Sequence, residues 1–243
     1  MRTYRLQVRV IQLSVLLAVI VLALGAFEVW FGNGSEPVGG NTLPNGSSLN
    51  NQESPGGDSG EGAGNELANT KIVCIGDSYT YGYPGEQKDS WPQVMADILK
   101  VEVINAGLVH QNSDDLLERF DRDVVSQAPG RVVIFAGVGD AIRGISLEVF
   151  QKNLEAMVEK AKANNIKPIL VLPLPYPGTE ELHKQYVEWE TAFAQQENLQ
   201  VLDFKTVLFD EQGKILSQYT VDGKYPNKEG YEVMGQYAAQ ELK

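Results

Sequence analysis

Cysteine and histidine are the scarcest chemistry-bearing residues in this sequence, and their scarcity narrows what the chain can do. A single cysteine, Cys74, among 243 residues excludes an intramolecular disulfide and says little about the redox compartment. Two histidines, His110 and His183, leave few choices for a base that works near neutral pH. Basic residues are also few: 20 Lys and Arg against 32 Asp and Glu give a net charge of −12. No basic stripe is available to neutralise phosphates, which excludes a nucleic-acid partner. The same balance disfavours general electrostatic attraction to anionic polysaccharide or lipid headgroups. Neither a metal nor a cofactor is expected.

Large apolar residues are nearly missing from residues 32–70, where Gly, Ser, Asn, Pro and Glu dominate. Such a segment buries too little surface to offset the entropy of ordering it, so it reads as a flexible linker. A coil of that length holds its ends roughly 35 Å apart. Before it, Arg2, Arg5 and Arg9 precede an apolar stretch from Val10 to Phe31 broken by Gln12, Ser14, Gly25 and Glu28. That is the span a bilayer core requires of a helix. Residues 1–31 are therefore expected to form a signal-anchor helix with a cytoplasmic N-terminus and the rest of the chain outside the cell membrane. A cleaved signal peptide, cut near Ala23, Gly25 and Ala26, is the alternative and would make the protein secreted. No cysteine lies at the end of the run, which excludes a lipid-modified cysteine anchor.

Residues 71–243 alternate strand-like and helix-like segments. Strands are expected at Lys71–Ile75, Val101–Ile104, Arg131–Phe135, Pro168–Leu172 and Leu199–Phe204. Helices are expected to open at Ser90-Trp91-Pro92, at Ser113, at Ser146, at Thr179 and near Asn227, with serine caps and apolar positions at helical spacing such as Leu116, Leu117, Phe120 and Val124. Five alternations imply parallel strands, right-handed crossovers and helices on both faces: one three-layer α/β/α domain.

Chemistry in such a sheet collects at the carboxyl ends of the strands. The first strand exits through Gly76-Asp77-Ser78, which places a serine on a tight turn where a nucleophile would stand. The second is followed by Asn105-Ala106-Gly107 and His110, the third by Gly137-Val138-Gly139-Asp140. Near the C-terminus lies Asp222-Gly223-Lys224-Tyr225-Pro226-Asn227, with Gly230-Tyr231 closing the run. In order and spacing these four stretches resemble the SGNH/GDSL hydrolases over the whole of residues 71–243.

The resemblance implies a flavodoxin-like five-stranded parallel sheet and serine-dependent hydrolysis of a small-molecule, lipid or glycan ester. It implies Ser78 as nucleophile and oxyanion donor, Asp222 as the acid that orients a histidine, and Asp77, Asp140 and Tyr225 as residues lining the pocket. Three family positions differ. The histidine position holds Tyr225, the oxyanion asparagine position holds Gly139, and the oxyanion glycine position holds His110. The His110 amide can still donate provided the turn does not need a positive φ. A tyrosine, with a pKa of about 10, is protonated near neutral pH and donates rather than accepts a proton. His110 at the pocket rim, or His183, is the remaining candidate for a relocated base. Two readings follow: a tethered ester hydrolase, or a pseudoesterase that binds a ligand or scaffolds at the cell surface. If the frame is otherwise intact, histidine at 225 with asparagine at 139 is expected to restore hydrolysis.

Overall fold

The structure, a computed structural model, describes residues 69–243; the expected membrane segment and residues 32–68 of the expected linker lie outside the described residues. Strands β1 (Ile72–Gly76), β2 (Val103–Gly107), β3 (Arg131–Phe135), β4 (Lys167–Val171) and β5 (Gln200–Leu202) form one parallel sheet in the order β2-β1-β3-β4-β5. A parallel sheet is covered on both faces, which is why its central strands are continuous apolar runs and not alternating ones. Every residue of β1 is buried, and so are Val132–Phe135 of β3 and Pro168–Val171 of β4.

The helices are α1 (Ser78–Tyr81), α2 (Trp91–Leu99), α3 (Ser113–Asp123), α4 (Val138–Arg143), α5 (Leu147–Ala163), α6 (Glu180–Gln196), α7 (Lys205–Leu208) and α8 (Lys228–Glu241). On one face Ile72, Cys74, Val133, Phe135 and Val171 pack with Trp91 and Met95 of α2 and with Tyr231 and Met234 of α8. On the other, Val73, Ile75, Val132 and Ile134 pack with Phe120 of α3, Phe150 and Met157 of α5, and Tyr186 of α6. The three-layer α/β/α architecture expected from the alternation is the one observed. Cys74 is fully buried in β1, where burial pushes its thiol far above the usual range. Among the described residues no helix is long and apolar enough to cross a membrane, and no group of three or more His, Cys, Asp or Glu side chains is placed to hold a metal ion.

The differences from the sequence reading are local and have local causes. Strand β2 starts later than expected and takes Asn105-Ala106-Gly107 into its ladder, opposite Cys74, Ile75 and Gly76. Asn105 is tolerated there because its own side chain accepts from the Gly107 amide (2.9 Å) and donates to the Thr80 carbonyl and Ser90 Oγ, both at 2.9 Å. Ser90 precedes α2 without capping it, since its hydroxyl is committed to the Gln87 carbonyl at 2.6 Å. The cap of α3 is Asn112 and not Ser113. Asn112 and Asp115 form a reciprocal capping box, while the Ser113 hydroxyl donates to Asp140. The short helices α1, α4 and α7 carry too few residues for any periodicity to announce them.

One buried acid stands outside this economy of paired groups. Glu190 of α6 is 1% exposed, and its Oε2 has no hydrogen-bond partner. Burial pushes its carboxyl well above the ordinary range, so the folded protein holds it protonated. The unfolded chain ionises it above about pH 4.3, so this group lowers stability progressively as pH rises from there towards its folded pKa. Glu190→Gln is therefore expected to raise the melting temperature at pH 8, by the equivalent of roughly 1–3 kcal/mol, and to change it little at pH 4. Thermal unfolding at the two pH values checks this.

Candidate active site and its altered positions

With strand order β2-β1-β3, chain connections leave β1 and β3 towards opposite faces, and the crevice between their carboxyl ends is where ligands bind in sheets of this order. Gly76 ends β1 there. A Cβ at Gly76 would meet Thr80 Oγ1 at 2.1 Å and the Phe135 carbonyl at 2.8 Å, so glycine is required by close approach of α1 to the strand and not by backbone handedness. Asp77 caps α1, its Oδ1 accepting from the Tyr79 amide at 2.9 Å, and Ser78 follows as the first helical residue. Both are 5% exposed.

Ser78 Oγ accepts a hydrogen bond from the His110 amide at 3.0 Å. His110 has φ 60°, the left-handed conformation that costs a non-glycine residue roughly 1–2 kcal/mol. The turn does use the positive φ that would favour glycine, and the amide donates regardless. The contact between His110 and Ser78 runs through the backbone. The exposed imidazole lies beside Tyr83, with ring centroids 6.1 Å apart. His183 sits elsewhere. Its Nε2 is 3.0 Å from the Pro173 carbonyl, burial holds its pKa down, and it lines a separate cavity of about 400 Å³ with Lys205 and Lys214. Neither imidazole is hydrogen-bonded to Ser78.

The cavity over Ser78 measures about 240 Å³, and Asp77, His110, Gly139, Tyr176 and Tyr225 are among its lining residues. Asp140, expected to line it, lies fully buried behind the wall. Its carboxylate accepts from the Ser113 amide (3.0 Å), the Ser113 hydroxyl (2.5 Å) and the Gly137 amide (3.2 Å), fastening the turn after β3 to the start of α3. Asp222 is also outside the lining. It is exposed, and its Oδ1 accepts from the Lys224 amide (2.8 Å), the Tyr225 amide (2.9 Å) and the Thr220 hydroxyl (3.3 Å). Partial burial pushes this carboxyl up, but those donors outweigh it and hold it below the ordinary range. The acid organises its own loop; no ring nitrogen is offered to it.

Tyr225 fills the place between. Its ring meets Tyr83 edge-on at 4.8 Å, Tyr79 at 5.2 Å and Tyr176 at 6.0 Å. Burial, then the neighbouring Tyr176, pushes its phenol above the usual value, so it stays neutral and cannot accept a proton from Ser78. Asp77 is the pocket's unusual acid. Burial lifts it to about 7 against the pull of the Tyr79 amide, and the charge of Asp140 adds to the rise.

The remaining altered position is the most informative. A Cβ at Gly139 would meet the Gln111 carbonyl oxygen at 1.9 Å and its carbon at 2.9 Å. The loop after β2 has closed over the space an asparagine side chain would need. Arg119 of α3 holds it there: Nε donates to Gln111 Oε1 (2.7 Å), Nη1 to the Ala106 carbonyl (2.7 Å) and Asp123 Oδ2 (2.8 Å), and Nη2 to the Gly76 carbonyl (3.0 Å). Sequence reasoning missed Gln111, Arg119 and the tyrosine wall of Tyr79, Tyr83 and Tyr176. The tyrosines were visible beside Ser78 and in the proline-rich loop after β4, whereas a backbone carbonyl leaves no mark in composition or spacing.

A parallel sheet in this order, with a serine on the turn after its first strand and a closing Asp-Gly-x-x-Pro-Asn segment, defines the SGNH-type hydrolase fold. The chain belongs to the GDSL-like Lipase/Acylhydrolase family, which it matches over residues 74–233. The solved structure of a G-D-S-L family protein from Desulfitobacterium hafniense DCB-2 is 50% identical, with a TM-score of 0.70, over 71% of this chain and 99% of that one. A GDSL-like lipase from Bacteroides thetaiotaomicron is 27% identical, with a TM-score of 0.60, over 71% of this chain and 87% of that one. An uncharacterized lipoprotein of Bacillus subtilis, YqeF, is 30% identical over 117 residues, 43% of this chain; the match spans 48% of that relative's length.

The contact at Gly139 weighs against the expectation that histidine at 225 and asparagine at 139 would rebuild a working site. Gly139→Asn should displace the Gln111 backbone and destabilise the fold by about 1–3 kcal/mol, with no gain of ester hydrolysis, alone or with Tyr225→His. Thermal unfolding and an ester assay on the same samples check both halves.

Proposed function

We propose that this protein is a membrane-tethered, extracytoplasmic member of its family that binds an ester-type small molecule, lipid or glycan in the Ser78 pocket without hydrolysing it. The observation that carries the reading is the Gln111 carbonyl over Gly139. A tyrosine at the histidine position alone is one point change, but a backbone carbonyl in the oxyanion donor's space means the surrounding loop has been refitted. The other differences agree. Ser78 has no imidazole to take its proton, and Asp222 is satisfied by its own loop. Loss of a positioned base removes about 10²–10⁴ in rate, and loss of one preorganised oxyanion donor a further ~3–4 kcal/mol of transition-state stabilisation.

One observation favours the hydrolytic alternative: the His110 amide points at Ser78 Oγ, as an oxyanion donor would. A direct assay separates the two. The full chain in a non-ionic detergent is incubated with p-nitrophenyl acetate and with a fluorophosphonate probe, beside Ser78→Ala. No Ser78-dependent turnover or labelling is expected; turnover lost in the variant would overturn the binding reading. Tethering rests on the apolar run Val10–Phe31 behind its arginines. The full chain is expected to stay with cell membranes after an alkaline carbonate wash, and release into the supernatant would count for cleavage of the segment.

A further inference from the structure

We infer that the Ser78 pocket is built for a small organic cation, a ligand bearing an ammonium or quaternary ammonium group. The inference rests on the binding reading above and names the ligand class of that same pocket. One wall is aromatic: Tyr79, Tyr176 and Tyr225 line the cavity, with Tyr83 packed behind Tyr225. The faces of such rings carry the negative side of the ring quadrupole and attract cations, most strongly where water is excluded. Burial keeps the phenols of Tyr79 and Tyr225 neutral, so this wall carries no phenolate charge; the half-buried Tyr176 and Tyr225 offer its accessible ring surface, with Tyr79 packed beneath at 1% exposure.

Beside this wall the cavity is lined by a carboxyl group with no counter-ion. Asp77 is 5% exposed, and among the described residues no Lys, Arg or His forms an ion pair with it. The one cationic side chain in the lining, Arg143, is already committed, with Nη1 at 3.2 Å from Asp115 and Nη2 donating to the His110 carbonyl. A buried charge is retained at low cost only when it is paired and hydrogen-bonded, and here the protein supplies amide donors from Tyr79 and Gly139 but no opposite charge. A ligand cation would provide one, an anionic ligand would be repelled, and a neutral one would leave the acid as it stands. A cavity of about 240 Å³ has room for a trimethylammonium group and a short linker.

The groups that face Asp77 set the pH dependence. Asp140 in the first turn of α4 repels its charge; the phenols of Tyr79, Tyr225 and Tyr231 are neutral; Arg143 and the exposed His110 stand in the same lining. With Asp77 lifted to about 7, a cation finds its counter-charge above that pH and loses it below.

The test is calorimetric titration of the full chain in non-ionic detergent with choline and with 3,3-dimethylbutan-1-ol, which has the same shape without the charge. Choline is expected to bind about tenfold more tightly than the alcohol or better, and to weaken as pH falls through neutrality. Asp77→Asn keeps an N-cap acceptor for α1 while removing the charge, and should erase the preference for choline. Tyr176→Leu should weaken choline while Tyr176→Phe keeps it, which tests the wall even if the Asp77 variant does not fold. Equal binding of choline and the alcohol, or no choline binding at millimolar concentration by folded protein, would overturn the inference. Ser78-dependent hydrolysis of acetylcholine or p-nitrophenyl acetate would instead overturn the non-hydrolytic reading and leave the ligand class standing.

Discussion

The arrangement of the pocket depends on one buried guanidinium. Arg119 is 5% exposed, and it joins carbonyls near the ends of two neighbouring strands, Gly76 at the end of β1 and Ala106 one residue before the end of β2, to the side chain of Gln111. The fork geometry of arginine makes these bonds possible; a lysine has no comparable planar set of donors. Asp123 supplies the counter-charge from the next turn of α3. A buried cation satisfied in this way is strongly destabilising to truncate, by ~3–5 kcal/mol where the partner groups are left unpaired. Through Gln111 the same group fixes the loop that offers the His110 amide to Ser78 and puts a carbonyl against Gly139.

The three residues that differ from the resembled pattern, His110, Gly139 and Tyr225, therefore stand around one pocket and share its packing. Gly139 leaves room for the Gln111 carbonyl, and the loop that brings this carbonyl also places His110 in its left-handed turn. Tyr225 occupies the space of an imidazole with a ring that packs against three others. Asp222 turns to the amides of residues 224 and 225. At Gly139 and Tyr225 the neighbours are fitted to the residue present, so a larger side chain at 139 or a smaller ring at 225 meets or leaves contacts shaped for the existing one.

Much of the fold was legible in the sequence because its signals are redundant. The apolar runs of β1, β3 and β4, Ser146 before α5 and Asn227 before α8 each state their element locally, and strand-helix alternation fixes the class. Capping was less legible, since Ser90 and Asn112-Ser113 offer several side chains able to cap and tertiary partners decide which one does. In the site, the positions of Ser78 and Gly139 followed from strand ends. The behaviour of Asp140 and Asp222 did not, because a carboxylate with several amides in reach can serve its own turn or a pocket, and only three-dimensional placement distinguishes these. Gln111 acts through its main-chain oxygen, a group every residue carries, and so no residue pattern could have pointed to it.

Cys74 has a consequence of a different kind. It lies at the middle of β1, between β2 and β3, with no accessible surface and a thiol that burial keeps un-ionised. The thiolate is the form that attacks alkylating and oxidising reagents, so modification must wait until the central strand of the sheet comes apart. The sole sulfhydryl of the chain is thus a natural clock for global opening: its rate of modification follows the rarest and largest excursion of the domain, and is blind to the motions of the loops around the pocket.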